Sequence, residues 1–260
     1  MLAAAALTFC SSWASDAIKL VPDLRAELGL PSLRARQLHG TPSVLQVENL
    51  LTEDECCDII ESVERSGLLK ASRVRRADGD GYEENAEVRD SQECVWAPDG
   101  CMALPDDALP VTVVRRLHRL LGRVADPDHC EGPKIVHYGL NQHYSEHCDC
   151  SAGLAATPAG QRTLTALLYL STVPTDAGGC THFPRLGLRV RPQRGRVLVW
   201  SNLDDDGECD RNTLHGSEPL LHDEEEKWVI NFFYRQQSFF ELALEREAAR
   251  TAGTATSTPT

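Results

Sequence analysis

The sequence predicts a mainly β domain with flanking helices, a jelly roll, and three observations carry that reading. After residue 133 the texture changes to short β-rich runs separated by turn residues: PKIVHYG, TLTALLYLSTV, LRVRP, RVLVWSNL and KWVINFFYR. No long helical pattern interrupts them, so the strands follow one another without crossovers and pair antiparallel, as in a sandwich or barrel and not a βαβ sheet. Before residue 130, two amphipathic helices each offer one apolar face to cover such a sheet. A chain of 260 residues, 42% hydrophobic and 25% charged, is long enough for one large domain and excludes collagen-like, coiled-coil and bulk-disordered classes.

Taken in order, residues 1–15 (MLAAAALTFCSSWAS) have the short apolar stretch and small residues of a signal peptide but lack its basic start. A single domain is expected from 16 to 240, with helices to about 130 and the jelly-roll core at 133–236. Loss of Cys10 with the leader would leave nine cysteines and at least one thiol without an internal partner. The endoplasmic reticulum or secretory pathway is the expected compartment, with the cytoplasm and free thiols as the alternative. Residues 16–40 carry weak helical periodicity broken by Pro22 and Pro31 and read as an extension packed on the domain. A helix begins after Thr52, which forms a capping box with Glu55; Cys56, Ile59, Ile60 and Val63 recur at helical spacing and Gly67 stops it. A second begins near Pro110, with Val114, Leu117, Leu121 and Val124 on one face and Arg115, Arg116, Arg119 and Arg123 on the other. From Glu241 the tail begins helical and ends in ARTAGTATSTPT, too poor in apolar residues to order. No apolar run approaches the roughly 20 residues of a spanning helix.

A net charge of −13 makes phosphate backbones poor partners. The charge is uneven: residues 204–226 hold ten acids against Arg211 alone. Such a run is a pair of solvated loops or a rim that attracts a basic substrate.

The densest chemistry lies in QHYSEHCDC, residues 142–150. On a strand His147 and Asp149 point to one face, and Cys148 and Cys150 to the other. His215, in DRNTLHGSEP, can complete a set of two His and one carboxylate, the facial triad of non-haem Fe(II) oxygenases. Lys227 opens the apolar strand KWVINFFY twelve residues later. A lysine entering an interior strand is costly unless its ammonium meets an anion.

These motifs occur in one ordered series: LTEDEC from residue 51, VRDS from 88, HYGLNQHYSEHCD, QRTLTALLYLS, GGCTHFP, GRVLVWSNL, DRNTLHG and EKWVINFF. In that series, over residues 45–236, the chain resembles the prolyl 4-hydroxylase family of 2-oxoglutarate and Fe(II)-dependent dioxygenases, and is similar to the short plant and algal enzymes. The resemblance implies a double-stranded β-helix in which His147, Asp149 and His215 ligate iron and Lys227 holds the tail carboxylate of 2-oxoglutarate. It implies that Tyr138 and Thr165 line the cosubstrate pocket and that Tyr144 and Arg162 meet the peptide substrate. The implied reaction is hydroxylation of peptidyl proline, procollagen-proline 4-dioxygenase-like, with 2-oxoglutarate decarboxylated to succinate and ascorbate as reductant. The implied partner is a proline-rich peptide, not nucleic acid. Trp200 and Phe183 read as core. Two departures bear on specificity: Arg235 stands where the family has a histidine eight residues after the lysine, and the interval of twelve between His215 and Lys227 is two longer than is common.

Three rival readings stand beside this one. Zinc could draw on His143, His147, Cys148, Cys150, Cys209 and His215, although their spacing lacks paired knuckles. A catalytically silent jelly-roll binding module, or an oxygenase acting on another residue, would share the fold.

Overall fold

The computed structural model describes residues 13–76, 81–96 and 104–255. The N-terminal half supplies α1 (Trp13–Glu27), β1 (Arg34–His39), β2 (Val44–Glu48), α2 (Glu53–Ser66), β3 (Lys70–Ala71), β4 (Val74–Arg75), β5 (Tyr82–Glu83), β6 (Arg89–Asp90), β7 (Gln92–Val95) and α3 (Leu109–Leu121). The C-terminal half supplies β8 (Lys134–Tyr138), β9 (His143–His147), α4 (Ala152–Ala155), β10 (Arg162–Tyr169), β11 (Thr181–Phe183), β12 (Leu188–Val190), β13 (Val197–Ser201), β14 (His215–Ser217), β15 (Lys227–Arg235) and α5 (Phe239–Ala255). Eight strands form a large sheet in the order β1-β2-β13-β10-β15-β8-β7-β3, and five form a smaller one in the order β12-β11-β14-β9-β6. Every pairing between strands is antiparallel, as expected where no helix links consecutive strands.

Two apolar clusters sit on opposite faces of the large sheet. Alternate residues Leu164, Ala166 and Leu168 of β10 join Ile230 and Phe232 of β15 beneath helices α1, α2 and α3. The intervening Leu167 and Tyr169, with Val136, Leu198 and Trp200, face Phe183 and Val190 of the small sheet. Burial on both faces explains why these strands are nearly continuous hydrophobic runs without alternation.

The helices expected at Thr52 and Pro110 are present. Thr52 and Glu55 exchange both bonds of the capping box, and Gly67 ends α2 at φ 62°, the left-handed position that glycine fills most readily. Val124 lies past α3, in the 3-10 turn Gly122–Ala125. Other expectations need correction. Residues 13–27 form a continuous helix through Pro22: Trp13, Ala14, Ala17, Val21 and Leu24 recur on one buried face, while Pro22 lies on the exposed one. Packing of that face outweighs the backbone bond lost at the proline. Trp13 donates from Nε1 to Ser201 Oγ at 3.0 Å, so this helix starts three residues before the boundary read at 16; residues 1–12 of the signal-peptide reading lie outside the described residues. The extension also contains β1, an edge strand whose exposed Arg34, Arg36 and Gln37 hide it from a search for apolar alternation. Helix α5 continues to Ala255, into the stretch expected to be unstructured. No helix among the described residues is long and apolar enough to cross a membrane.

Candidate active site

The small sheet carries the reactive side chains. Its register sets His215 of β14 directly opposite His147 of β9, so both imidazoles leave one face with ring centroids 4.4 Å apart. Gly216 makes this approach possible: a Cβ there would stand 2.9 Å from the Tyr144 carbonyl and 2.8 Å from the His182 ring. Asp149 lies just beyond the end of β9, with Oδ1 3.6 Å from His147 Nε2 and Oδ2 3.6 Å from His215 Nε2. One ligand atom from each of the three falls within 4.8 Å of the others.

The supporting contacts prepare these atoms for a cation. His147 Nδ1 faces the Ser145 carbonyl and His215 Nδ1 the Thr213 carbonyl, each at 2.9 Å. A carbonyl only accepts, so both rings carry their proton on Nδ1 and turn the Nε2 lone pair inward. Burial, then the neighbouring His215, pushes His147 down to about 3, which keeps it in the neutral form a metal requires. Burial alone would push Asp149 up; His215, His147 and Arg162, with the Thr165 hydroxyl, outweigh it and hold the carboxyl below its ordinary value. Two imidazoles presenting Nε2 and one ionised carboxylate are the donor set of a non-haem iron site, and the residues present fit that ion.

Lys227 enters from the large sheet, paired in register with Tyr138. Its side chain is buried at 2% exposure, donates to Ser217 Oγ at 2.7 Å and lies 5.2 Å from the Tyr138 ring centroid. Burial lowers its pKa to about 7, with Cys180 and Glu218 pulling weakly the other way. The three ligands, Lys227 and Tyr138 all border one cavity of about 360 Å³. A small dicarboxylate fits between the triad and the lysine by charge.

Thr165, expected in the cosubstrate pocket, is placed differently. It is buried at 1% exposure, donates to Asp149 Oδ2 at 2.7 Å and receives Asn202 Nδ2 at 2.9 Å, and it does not border the cavity. Tyr144 stacks on His147 with centroids 3.7 Å apart and borders the cavity, as does Arg162. The Arg162 guanidinium is bound bidentately by Glu131 at 2.8 and 2.7 Å, and Arg235 shares that carboxylate at 2.8 Å. The residue that replaces the family histidine is thus the cross-strand neighbour of Arg162. Trp200 and Phe183 are core, as expected, but both also pack on the His215 ring, at 4.7 and 5.4 Å.

Sequence reasoning missed Ser217, Asn202, Glu131 and Arg89. Ser217 is two residues after His215, so strand alternation could have placed it on the same face. Arg89, inside the quoted VRDS, is buried beside Tyr144 at 4.7 Å from its centroid. The remaining two, Asn202 and Glu131, depend on long-range register that no local pattern encodes.

Two further expectations change. Cys148 and Cys150 do not share a face, because strand alternation stops at His147: Cys148 borders the cavity, while Cys150 is bonded to Cys209 with Cα atoms 5.6 Å apart. That bond also removes two ligands from any zinc reading. Cys56, Cys57, Cys94, Cys148 and Cys180 are free thiols, and Cys10 and Cys101 lie outside the described residues. None of the ten acids of residues 204–226 lines the cavity. Asp204 accepts from the Asp206 and Glu208 amides, Asp210 caps a 3-10 turn and Glu218 pairs with Arg189. The rim for a basic substrate is therefore overturned in favour of solvated, internally bonded loops.

Residues 133–235 match the profile of the 2OG-Fe(II) oxygenase superfamily. Over 208 residues the chain is 34% identical to a protein of Acanthamoeba polyphaga mimivirus assigned to the prolyl 4-hydroxylases, covering 77% of this chain and 76% of that one. It is 32% identical over 210 residues to the human prolyl 4-hydroxylase subunit alpha-3, covering 79% of this chain and 36% of the subunit. The chain thus spans about a third of the length of that subunit. In fold it resembles the viral collagen prolyl hydroxylase of Paramecium bursaria Chlorella virus-1 solved with 2OG, at TM-score 0.56 and 20% identity over 74% of this chain and 95% of that one. A Trichoplax adhaerens prolyl hydroxylase solved with a hypoxia inducible factor peptide superposes at TM-score 0.52 and 14% identity, covering 85% of this chain and 91% of that one. These neighbours share the double-stranded β-helix that the two facing sheets form.

Proposed function

The chain belongs to the prolyl 4-hydroxylase family of 2-oxoglutarate and Fe(II)-dependent oxygenases, and from that premise we propose that it hydroxylates proline in peptides. The observation that carries the reading is the joint placement, in one cavity, of the His147, Asp149 and His215 ligand atoms and of a buried ammonium, Lys227, whose hydrogen-bond partner Ser217 is uncharged. A metal site alone has no use for that lysine; a cosubstrate with a free tail carboxylate does.

His147, Asp149 and His215 would hold iron, and Lys227 with Ser217 and Tyr138 would hold the 2-oxoglutarate tail. Iron and the 2-oxo acid supply oxygen activation and two electrons, with succinate and carbon dioxide as products. The chain's own residues bind, orient and exclude water. Thr165 and Asn202 fix the Asp149 carboxylate, Trp200 and Phe183 wall the His215 ring from solvent, and Tyr144 stacks on His147 at the open side, where the compact ring of a proline would dock. Ascorbate is the proposed reductant that keeps the metal ferrous. The Cys150–Cys209 bond supports an oxidising compartment such as the endoplasmic reticulum lumen.

The test is mass spectrometry of a proline-rich peptide library incubated with the protein, Fe(II), ascorbate and 2-oxoglutarate. Addition of one oxygen to proline, absent in His147→Ala, Asp149→Ala and His215→Ala, is expected. Oxidation of lysine or asparagine with proline untouched would assign another substrate residue.

A further inference from the structure

The cavity carries more positive charge than its metal and cosubstrate require. Lys227 is reserved for the cosubstrate tail, Arg162 is bound by Glu131, and Arg89 and Lys134 share Glu93 at 2.8 and 3.6 Å. Arg73 and Arg75, around β4, border the same cavity from the exposed side. Arg73 donates to the Tyr82 carbonyl across the hairpin, which directs its guanidinium. Arg75 lies over Gly153, its guanidinium close to where a Cβ would stand. Arg211, which does not itself line the cavity, lies against Cys148, which does, and Arg185 donates to the Arg211 carbonyl at 3.2 Å. Arg211 is the one Lys or Arg among the ten acids of residues 204–226.

In a chain of net charge −13, cations gathered at the cavity produce a local field of opposite sign to the surface around it. We infer that the site selects acidic peptides, in which carboxylate side chains flanking the oxidised residue meet Arg73 and Arg75 at the cavity, with Arg211 adding to the positive field. The inference rests on the peptide-oxidation reading above and names its substrate class. A peptide fits better than a nucleic acid because apolar walls adjoin the cations. The adjoining cavity of about 410 Å³, which continues from Arg75 and Tyr82, is walled by Leu154, Pro158, Phe239 and Leu242, suited to apolar side chains.

Three fluorescein-labelled proline peptides, identical except for Glu, Gln or Lys at two positions on each side of the proline, test this by anisotropy with the full chain. The metal is Mn(II), and 2-oxoglutarate is present. The Glu peptide is expected to bind about tenfold more tightly than the Gln peptide at low ionic strength, with the Lys peptide weakest. Half-molar salt should erase the order. Arg73→Gln/Arg75→Gln, both at exposed positions, should bring Glu and Gln to within about threefold while leaving the Gln peptide's affinity in place. Arg115→Gln/Arg119→Gln, which removes equal charge from α3, should retain the full preference. Equal affinity of Glu and Gln peptides, a Glu preference that survives the double variant, or tighter capture of a single-stranded RNA oligonucleotide would each overturn the inference. Mass spectrometry of the same peptides keeps the two readings apart. Equal binding and oxidation of all three sinks only the charge selectivity. Glu-selective binding without oxidation of proline sinks the proline reading and leaves the acidic-partner inference standing.

Discussion

Lys227 is the residue whose physics is most exposed to measurement. Its folded pKa of about 7 lies below the ordinary lysine value because burial disfavours the ammonium. Unfolded chains bind that proton up to about pH 10 and the folded chain without cosubstrate releases it near 7, so the burial penalty is full below 7 and fades as pH rises between the two. Stability without cosubstrate should therefore rise with pH across that window, read as the urea midpoint. Affinity for 2-oxoglutarate should do the opposite: above 7 binding must first take up a proton, so affinity falls by up to tenfold per pH step, with proton uptake visible by calorimetry in buffers of different ionisation heat. Lys227→Arg should flatten that slope, and Lys227→Ala should weaken the cosubstrate by about two to three orders of magnitude with metal affinity little changed. Thr165 gives a second prediction. Thr165→Val removes the donor to Asp149 and should lower Fe(II) affinity by about ten- to a hundredfold, measured by competition with a chelator; unchanged affinity would make Thr165 a packing residue. The triad and the lysine were legible because their spacing and the cost of a buried charge are local properties. Thr165 was assigned to the cosubstrate pocket by resemblance alone; its bond to Asp149, which comes from a loop, could not be read from periodicity, which does not say which of two neighbours a buried hydroxyl serves.

At the scale of elements, register does what sequence spacing alone does not. His147 and His215 meet because β9 and β14 pair residue to residue, and Arg162 and Arg235 share Glu131 because β10 and β15 do. The helices with caps were legible to within a residue or two, since capping box and terminal glycine are local chemistry. Helix α1 was not, because a proline on its solvent side looks the same in sequence as a proline that breaks a helix. The Cys150–Cys209 bond closes a loop with a sequence separation of 59 residues and ties the chain just after Asp149 to the segment that leads into His215. Cys209→Ser should lower stability by about 2–4 kcal/mol in denaturant unfolding under oxidising conditions. Addition of reductant should bring the parent protein to the same midpoint and leave the variant unmoved.

For the molecule as a whole, the large sheet is the organising body, with helices on one face and the site between its other face and the small sheet. Trp13 shows how far integration reaches, since its indole bonds Ser201 on β13 from a helix far away in sequence. Trp13→Ala should cost about 3–5 kcal/mol and lower a single cooperative thermal transition, because helix and sheet share one core. A separate early transition would mean that α1 unfolds by itself. The strand order has a consequence for biosynthesis. β2 lies between β1 and β13, pairing Val44 with Trp200 and Val47 with Val197, yet a ribosome delivers those partners far apart in time. Until β13 is made, the β1–β2 hairpin has one open edge bearing Val44, Leu45 and Val47, all destined for full burial. Such non-local closure is slow, and an unpaired apolar edge invites pairing with another chain. Nascent chains halted before residue 197 should therefore recruit chaperones through this edge, and in chains halted after 201 the exposed edge should instead be that of β10, which waits for β15.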